Sequence, residues 1–160
     1  MPISTYDRRR IGGAEARRSP VDDVSYTGYM GPNELDSHAD TCCLGKNFIP
    51  LYYTGELCNV HAFSDHYAPT KNIRIGGGAT LWTDPNSGKR FIIEVHQALM
   101  FTDSLGHSLI NPNQVCCHGI ELHDNPFDRK NPIGLYSDED DLHIPFGIKG
   151  TIIYFDTCVP

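Results

Sequence analysis

Residues 72–101 read NIRIGGGATLWTDPNSGKRFIIEVHQALMF, and this stretch decides the fold class. It holds three short runs rich in apolar and β-branched residues, Asn72 to Ile75, Ala79 to Thr83 and Arg90 to Phe101. Such runs are typical of strands. The glycine triplet 76–78 and the segment 84–88 (DPNSG) separate them, so both segments predict turns, the first a mobile tip. The stretch therefore predicts consecutive β-hairpins.

The rest of the chain repeats this pattern of short strands. Further β-prone runs lie at Phe48 to Tyr53, Leu57 to Phe63 and Thr151 to Phe155. The best helix candidate is Pro112 to His118, with Asn111 as N-cap and Gly119 as its stop. With 15 Gly and 11 Pro in 160 residues, many turns and few long helices are expected. We predict an all-β domain, a small barrel or sandwich with one short helix.

The chain divides by composition into an arm and one domain. Residues 1–33 are rich in Arg, Gly, Ser and Tyr and lack periodicity, which predicts an extended arm. Core-like patterning begins at Glu34, and the length suits a single core, so residues 34–160 are predicted to form one domain. Within it, residues 136–141 (YSDEDD) predict a solvated acidic loop before the last strand.

The charge distribution argues against nucleic acid as a partner. The net charge is −7, and residues 34–160 hold 8 Lys and Arg against 16 Asp and Glu. Phosphate-backbone binding needs clustered basic residues, which this acidic body lacks. No apolar run approaches the roughly 18 residues of a membrane span, and the first 30 residues lack the apolar region of a signal peptide. A soluble protein is therefore expected.

One segment carries the pattern of a catalytic loop, residues 34–41 (ELDSHADT). An apolar residue, then Asp-Ser or Asp-Thr, then Ala-Asp resembles the active-site loop of retropepsins, the aspartic proteases of retroelements. The resemblance places Asp36 on the catalytic aspartate and Ser37 on the hydroxyl that braces the loop. The predicted catalytic segment comprises Asp36, Ser37, His38, Asp40 and Thr41.

The resemblance extends over about residues 34–125. Residues 74–79 look like the glycine-rich flap that covers substrate in this family, with Ile75, Gly76, Gly77 and Gly78 as its substrate-binding residues. Residues 108–115 (SLINPNQV) with 119–122 (GIEL) are similar to the stretch that follows the flap in copia-type retrotransposon proteases. The resemblance implies a closed retropepsin-like barrel as the core, followed by the acidic loop and strand of residues 126–160.

The implied chemistry is peptide-bond hydrolysis. In this family two carboxylates share a proton, so that one activates a water while the other protonates the substrate carbonyl. One loop with this active-site pattern per chain then implies a homodimer with paired Asp36 residues, a polypeptide substrate and no cofactor. A retroelement protease would act in the cytoplasm or in a virus-like particle.

His38 departs from the family pattern, which has glycine at this position. A side chain here crowds the backbone of the dimer's active site, so whether the enzyme is active stays open. His38 is also a metal-ligand candidate together with Asp36 and Asp40. The pairs Asp65-His66 and Cys117-His118 are further candidates for a zinc or calcium site, if the fold brings them together.

A second hypothesis is an inactive structural protein that keeps the β fold and self-assembles by arm exchange or into a fibre. Disulfides or metal ions would staple its protomers in an extracellular setting. Six cysteines are disulfide candidates, Cys42, Cys43, Cys58, Cys116, Cys117 and Cys158. The family resemblance implies that the pairs 42–43 and 116–117 share one neighbourhood.

Overall fold

The structure, a computed structural model, describes residues 28–62 and 64–160 and confirms the all-β expectation. Strands make up 52% of these residues and helices 7%. The strands are β1 Met30–Leu35, β2 Cys43–Leu44, β3 Ile49–Val60, β4 Thr70–Thr83, β5 Arg90–Met100, β6 Ser108–Ile110, β7 Glu121–His123, β8 Gly134–Ser137, β9 Leu142–Pro145, β10 Gly147–Lys149 and β11 Ile152–Cys158. A 3-10 turn spans Thr102–Ser104, and helix α1 spans Pro112–Cys117.

Eight strands form the larger sheet, in the order β10-β11-β1-β6-β2-β5-β4-β3. Strand β1 lies inside it, antiparallel to β11 and parallel to β6. Strand β11 also meets β4, where Cys158 pairs with Leu81. Strands β7, β8 and β9 form a smaller antiparallel sheet. The C-terminal strand is therefore integral to the larger sheet rather than an appendage.

One apolar core joins the two sheets. In β5 burial alternates, so that Phe91, Ile93 and Val95 point inward as the strand period requires. They share a cluster with Leu135 and Ile144 of the smaller sheet. Each such side chain stabilises the fold by about 1.5–3 kcal/mol when fully buried.

A network of polar side chains is also buried, where β1, β4, β6 and β11 converge. Asn47 Nδ2 donates to Asn33 Oδ1 at 2.9 Å, and Ser108 Oγ donates to Asn47 Oδ1 at 2.6 Å. Asn33 Nδ2 in turn lies 2.9 Å from the hydroxyl of Thr157, which is 2.6 Å from that of Thr80. No described buried side-chain N or O atom lacks a partner. The network therefore avoids the cost of burying unpaired polar groups.

Two local predictions are confirmed. Helix α1 begins after Asn111, whose side chain accepts from the backbone N–H of Gln114, and has Pro in its first turn. Gly119 follows the helix with φ of 81°, the left-handed conformation that suits glycine at a helix end. The segment after Thr83 turns tightly, because the backbone N–H of Gly88 donates to the carbonyl of Asp84.

The turn predicted at Gly76, Gly77 and Gly78 is wrong. These glycines are buried inside β4, which runs unbroken from Thr70 to Thr83 between β3 and β5. A Cβ on Gly77 would lie 2.5 Å from Cε1 of Tyr52, and one on Gly76 would lie 2.2 Å from the carbonyl oxygen of Tyr52. Glycine is needed here for close packing of β3, not for a chain reversal.

Other boundaries also differ from the predictions. Residues 30–33, expected in the arm, belong to β1, and residues 1–27 of that arm lie outside the described residues. The two runs predicted within residues 48–63 form one strand, β3, with irregular register around Gly55. Phe63 is also outside the described residues. The acidic loop is shorter than expected, because Tyr136 and Ser137 end β8.

Within residues 28–62 and 64–160, no helix combines the length and the hydropathy that crossing a bilayer requires.

Candidate active site around Asp36

Asp36 lies where β1 ends, in a loop that we define as residues 36–42, the Asp36 loop. Its backbone N–H donates to the carbonyl of Ile110 at 3.0 Å, which extends the β1–β6 pairing by one residue. Its Oδ1 accepts from the backbone N–H of His38 at 2.9 Å. This short-range bond is typical of Asp at a turn and fixes the direction of the carboxyl group.

Asn111 fastens the Asp36 loop to helix α1. Its Oδ1 accepts from the backbone N–H of Gln114 at 2.9 Å, which caps the helix, while its Nδ2 donates to the carbonyl of Ala39. The backbone N–H of Asn111 donates to Sγ of Cys42 at 3.3 Å. One residue thus holds both the middle and the end of the loop.

Gln114 provides a second brace. Its Oε1 accepts from the backbone N–H of Cys42 at 2.8 Å, and its Nε2 donates to the carbonyl of His96 at 3.1 Å. The hydroxyl of Thr41 lies 2.9 Å from both Gln114 Oε1 and the carbonyl oxygen of Gln97, and it donates to one of them at a time. The loop is therefore tied to β5 as well as to α1.

Gln97 has an unusual backbone where it meets the loop. Its φ of 56° lies in the left-handed region, beside the register shift opposite Gly77. A non-glycine residue in this conformation is strained, and such strain persists where surrounding contacts determine it. The bulge turns the Gln97 carbonyl toward Thr41.

A row of side chains crosses five strands beside Asp36. Glu34 pairs with Leu109, which pairs with Cys43, then Leu99 and then Ile75. Directly paired residues put their side chains on the same face of a sheet. Asp36 follows Glu34 by two residues, so strand alternation places its carboxyl on that face. An acid thus borders a predominantly apolar surface.

The pKa of the Cys43 thiol is affected by the nearby Asp36 carboxylate. The pKa of Cys43 is raised to about 11, chiefly by burial and in smaller part by the Asp36 carboxylate and the Cys58 thiol. Cys58 lies on β3 and pairs with Ile73, which shares the face of Ile75. The β3–β4 hairpin and the Asp36 loop therefore contribute to one neighbourhood.

The predicted flap residues do not form a tip. Gly76, Gly77 and Gly78 are buried in the sheet, and Ile75 is half-buried. What projects is the distal hairpin, which we define as residues 51–60 of β3 and 70–75 of β4. Most of its residues are exposed.

His38 adopts its backbone conformation without the freedom of glycine. Positive φ among the described non-glycine residues is confined to Asn72, Gln97, Thr102 and Asp141. The side chains of Ser37, His38 and Asp40 are exposed, whereas Asp36 and Thr41 are half-buried. Within one chain, therefore, His38 neither strains the loop nor fills a buried space.

The metal and disulfide candidates do not converge. In the described part of the chain, no three His, Cys, Asp or Glu side chains are placed to hold a metal ion, and this includes Asp36, His38 and Asp40. All six cysteines are free thiols. Cys42 is in the core, where burial raises its pKa to about 12, while Cys116 and Cys117 are exposed.

Sequence reasoning missed the braces. Asn111 was predicted only as a helix cap, and Gln114 and Gln97 were assigned no role. The signal was the Asn-Pro-x-Gln spacing, which puts Gln at the third helical position. At that position Gln commonly bonds back to the cap residue. Here its side chain bonds the Asp36 loop instead.

No protein-family model, curated protein or solved structure matches this chain.

Proposed function

We propose that this chain is one subunit of an aspartic endopeptidase, in which the Asp36 carboxylates of two copies face each other across a two-fold axis. One carboxylate activates a water and the other, carrying the shared proton, protonates the carbonyl oxygen of the peptide bond. The observation that carries the proposal is the braced Asp36 loop, which holds a half-buried carboxyl at the end of an interior strand beside the apolar row.

The surroundings support an extended polypeptide as substrate. The half-buried Leu109 and Ile75 offer apolar contacts on the face that Asp36 shares, and the buried Leu99 lies between them. An extended peptide alternates its side chains, so every second one would meet this row. The exposed distal hairpin supplies a segment long enough to cover such a peptide. The retropepsin-like barrel and the copia-type assignment belong to the same proposal.

Asp36→Asn is the direct test. The amide cannot act as a general base, so cleavage of an apolar peptide library at pH 4 to 7 should fall at least 1000-fold. Asp103→Asn, an exposed acid in the 3-10 turn, is the matched control and should retain activity. Equal cleavage by wild type and Asp36→Asn, or no cleavage by either wild type or His38→Gly at any pH in this range, would refute the proposal.

His38→Gly tests whether the histidine obstructs the paired site. Two copies that bring their Asp36 loops together also bring together two exposed His38 side chains, and glycine would remove this crowding. We expect a higher kcat in the variant. Lower activity instead would assign the imidazole a role in proton transfer.

Self-assembly into an extended array is the second candidate. Among residues 28–62 and 64–160, edge strand β3 pairs only with β4, and it exposes Ile49, Leu51, Tyr53 and Leu57. A long apolar edge strand favours pairing with another chain. Light scattering and electron microscopy separate the candidates, since the enzyme requires a closed dimer and the array grows with concentration.

A further inference from the structure

A chain of three polar side chains lies outside the Asp36 loop and crosses the sheet. The hydroxyl of Tyr52 lies 3.0 Å from Nδ1 of His96, and Nε2 of His96 lies 3.3 Å from a carboxylate oxygen of Glu94. The Tyr52 and His96 rings are stacked, with centroids 5.7 Å apart and planes inclined by 20°. In a neutral imidazole one nitrogen accepts and the other donates, which suits a Tyr–His–Glu chain.

The link joins two strands that are not neighbours. Tyr52 is on β3 and His96 is on β5, with β4 between them. The contact passes over Gly77, where a Cβ would lie 2.5 Å from the Tyr52 ring and 3.1 Å from Nδ1 of His96. Gly77 therefore gives Tyr52 the space to reach His96. Few other residues at position 77 would permit the contact.

The His96 end of this chain meets the braces of the Asp36 loop. The carbonyl of His96 accepts from Gln114, and the next carbonyl along β5, that of Gln97, lies 2.9 Å from the hydroxyl of Thr41. The backbone carbonyls of His96 and Gln97 thus contact the groups that brace the Asp36 loop, while the side chain of His96 contacts β3.

The Tyr52 end meets the base of the distal hairpin. The register between β3 and β4 is irregular on both sides of this point, with shifts between Pro50 and Tyr52 and between Tyr53 and Leu57, and Gly55 has φ of 87°. In the described part of the chain β3 pairs only with β4 and is largely exposed. The Tyr52 hydroxyl reaches across β4 to β5, whereas the hydroxyl of Thr54, further along β3, donates to the carbonyl of Ile75 on β4.

We propose that Tyr52, His96 and Glu94 form a latch that fixes the distal hairpin in position relative to the Asp36 loop. They are positioning residues, since none of them contacts the Asp36 carboxyl. The latch orders the hairpin in the free protein. Its effect on catalysis, through the hairpin's hold on substrate, rests on the proposed function.

Tyr52→Phe isolates the latch, because it removes the hydroxyl and keeps the ring over Gly77. Tyr53→Phe is the matched control. Tyr53 is the next residue of β3, its ring packs against Arg74 at 3.9 Å, and its hydroxyl makes no hydrogen bond within the described residues. Both variants lose one oxygen atom and keep their rings, and the oxygen lost from Tyr52 is the one that bonds to His96.

Hydrogen exchange of the full chain is the first measurement. Tyr52→Phe should raise exchange rates in residues 51–60 and 70–75 by about 3- to 10-fold, as expected for one lost hydrogen bond. Rates in β6 and α1 should not change, nor should any rate in Tyr53→Phe. Unchanged hairpin rates in Tyr52→Phe, or a rise throughout the sheet, would overturn the latch.

His96→Phe provides a second variant, because phenylalanine keeps a ring against Tyr52 but has no nitrogen to bond Tyr52 or Glu94. It should raise the same hairpin rates. In cleavage assays Tyr52→Phe should raise KM by a similar factor with kcat retained, since the carboxyls are untouched. A lower kcat at unchanged KM would overturn the positioning role.

Failure of the latch and failure of the proposed function are distinguishable. Asp36→Asn should abolish cleavage and leave the hairpin exchange rates as in wild type. If no variant or wild type cleaves peptide, the proposed function fails, while the exchange difference between Tyr52→Phe and Tyr53→Phe still decides the latch.

Discussion

The side chain of Asn111 caps helix α1 with its oxygen and holds the carbonyl of Ala39 with its nitrogen. The helix and the Asp36 loop are therefore fastened at one buried residue, which is 5% exposed. An amide is the side chain that can serve both partners, since one needs an acceptor and the other a donor.

Replacing Asn111 by Asp should separate these two functions. Aspartate caps helices as well as asparagine, but it has no donor for Ala39 and brings a buried charge against a carbonyl. We expect a loss of about 1–3 kcal/mol in the free energy of unfolding and faster amide exchange in residues 37–41, with helical circular dichroism retained. Asn113→Asp, on the exposed first turn of α1, should change stability little. Equal stability of the two variants would contradict the brace.

The buried polar network predicts a cost for Thr80→Val. The Thr80 hydroxyl lies 2.7 Å from the carbonyl oxygen of Asn47 and 2.6 Å from the hydroxyl of Thr157. Valine keeps the shape but leaves these groups with one partner fewer, so unfolding should become easier by about 1–3 kcal/mol. Urea denaturation measures it, with Thr83→Val at the exposed end of β4 expected within about 0.5 kcal/mol of wild type.

The buried thiol of Cys42 predicts that the protein loses stability at alkaline pH. Burial raises the pKa of Cys42 to about 12 from its ordinary 9.0. The unfolded chain then loses this proton near pH 9 while the folded chain keeps it, so the stabilisation is complete below pH 9 and is lost as pH rises toward 12. This rise in pKa corresponds to a loss of about 4 kcal/mol in the free energy of unfolding as the pH rises from 9 to 12.

Urea unfolding between pH 8 and 10.5 tests this slope. Cys42→Ala should lose stability less steeply than wild type above pH 9, by up to about 1.4 kcal/mol per pH unit. Cys117→Ala, at an exposed thiol, should keep the wild-type slope. Parallel slopes for Cys42→Ala and wild type would show that Cys42 does not titrate as expected.

Thiol counting tests the disulfide-stapled alternative. The structure has six free cysteines, so purified protein should show six reactive thiols in denaturant. In the native state Cys42 and Cys43 should resist alkylation, because burial raises the pKa of both and restricts access, while the exposed Cys117 should react quickly. Fewer than six thiols in denaturant would revive stapling between protomers.

Residues close together in the sequence were enough to predict helix α1, one turn and the all-β class. Helix α1 followed from Asn111, Pro112 and Gly119, and the turn at residues 84–88 followed from Asp, Pro and Gly at turn positions. The all-β class followed from short β-branched runs. These features depend on residues within one or two turns of each other, so the sequence displays them directly.

Features that depend on distant residues were missed or misread. Gly76 and Gly77 look like a turn until Tyr52, more than twenty residues earlier, is known to pack on them. Asn33 and Asn47 look like surface residues until each is seen to bury against the other. Strands such as β6 and β7, with three residues each, are too short to show alternation.

Part of the candidate site could be predicted from local sequence, and part of it could not. Asp36 stood out through its local pattern, and the structure places it after the end of β1. The braces from Gln114 and Gln97 lie 72 and 56 positions away from their partners in the loop. The Asn-Pro-x-Gln spacing marks Gln114 locally as a helix residue but does not identify the loop as its partner.

Because β1 pairs with β11, β1 can complete its sheet contacts only well after its own synthesis on the ribosome. Asn33 bonds to the carbonyl of Phe155, 122 positions later, so the strand that leads to Asp36 gains its antiparallel neighbour only after those further residues have been made. At about 5–20 residues per second, β1 waits about 6–24 s for that neighbour. During this interval the apolar and amide groups of β1 lack their native neighbour, so chaperones or transient contacts have to cover them. The Asp36 carboxyl reaches its final position only after β11 has been synthesised.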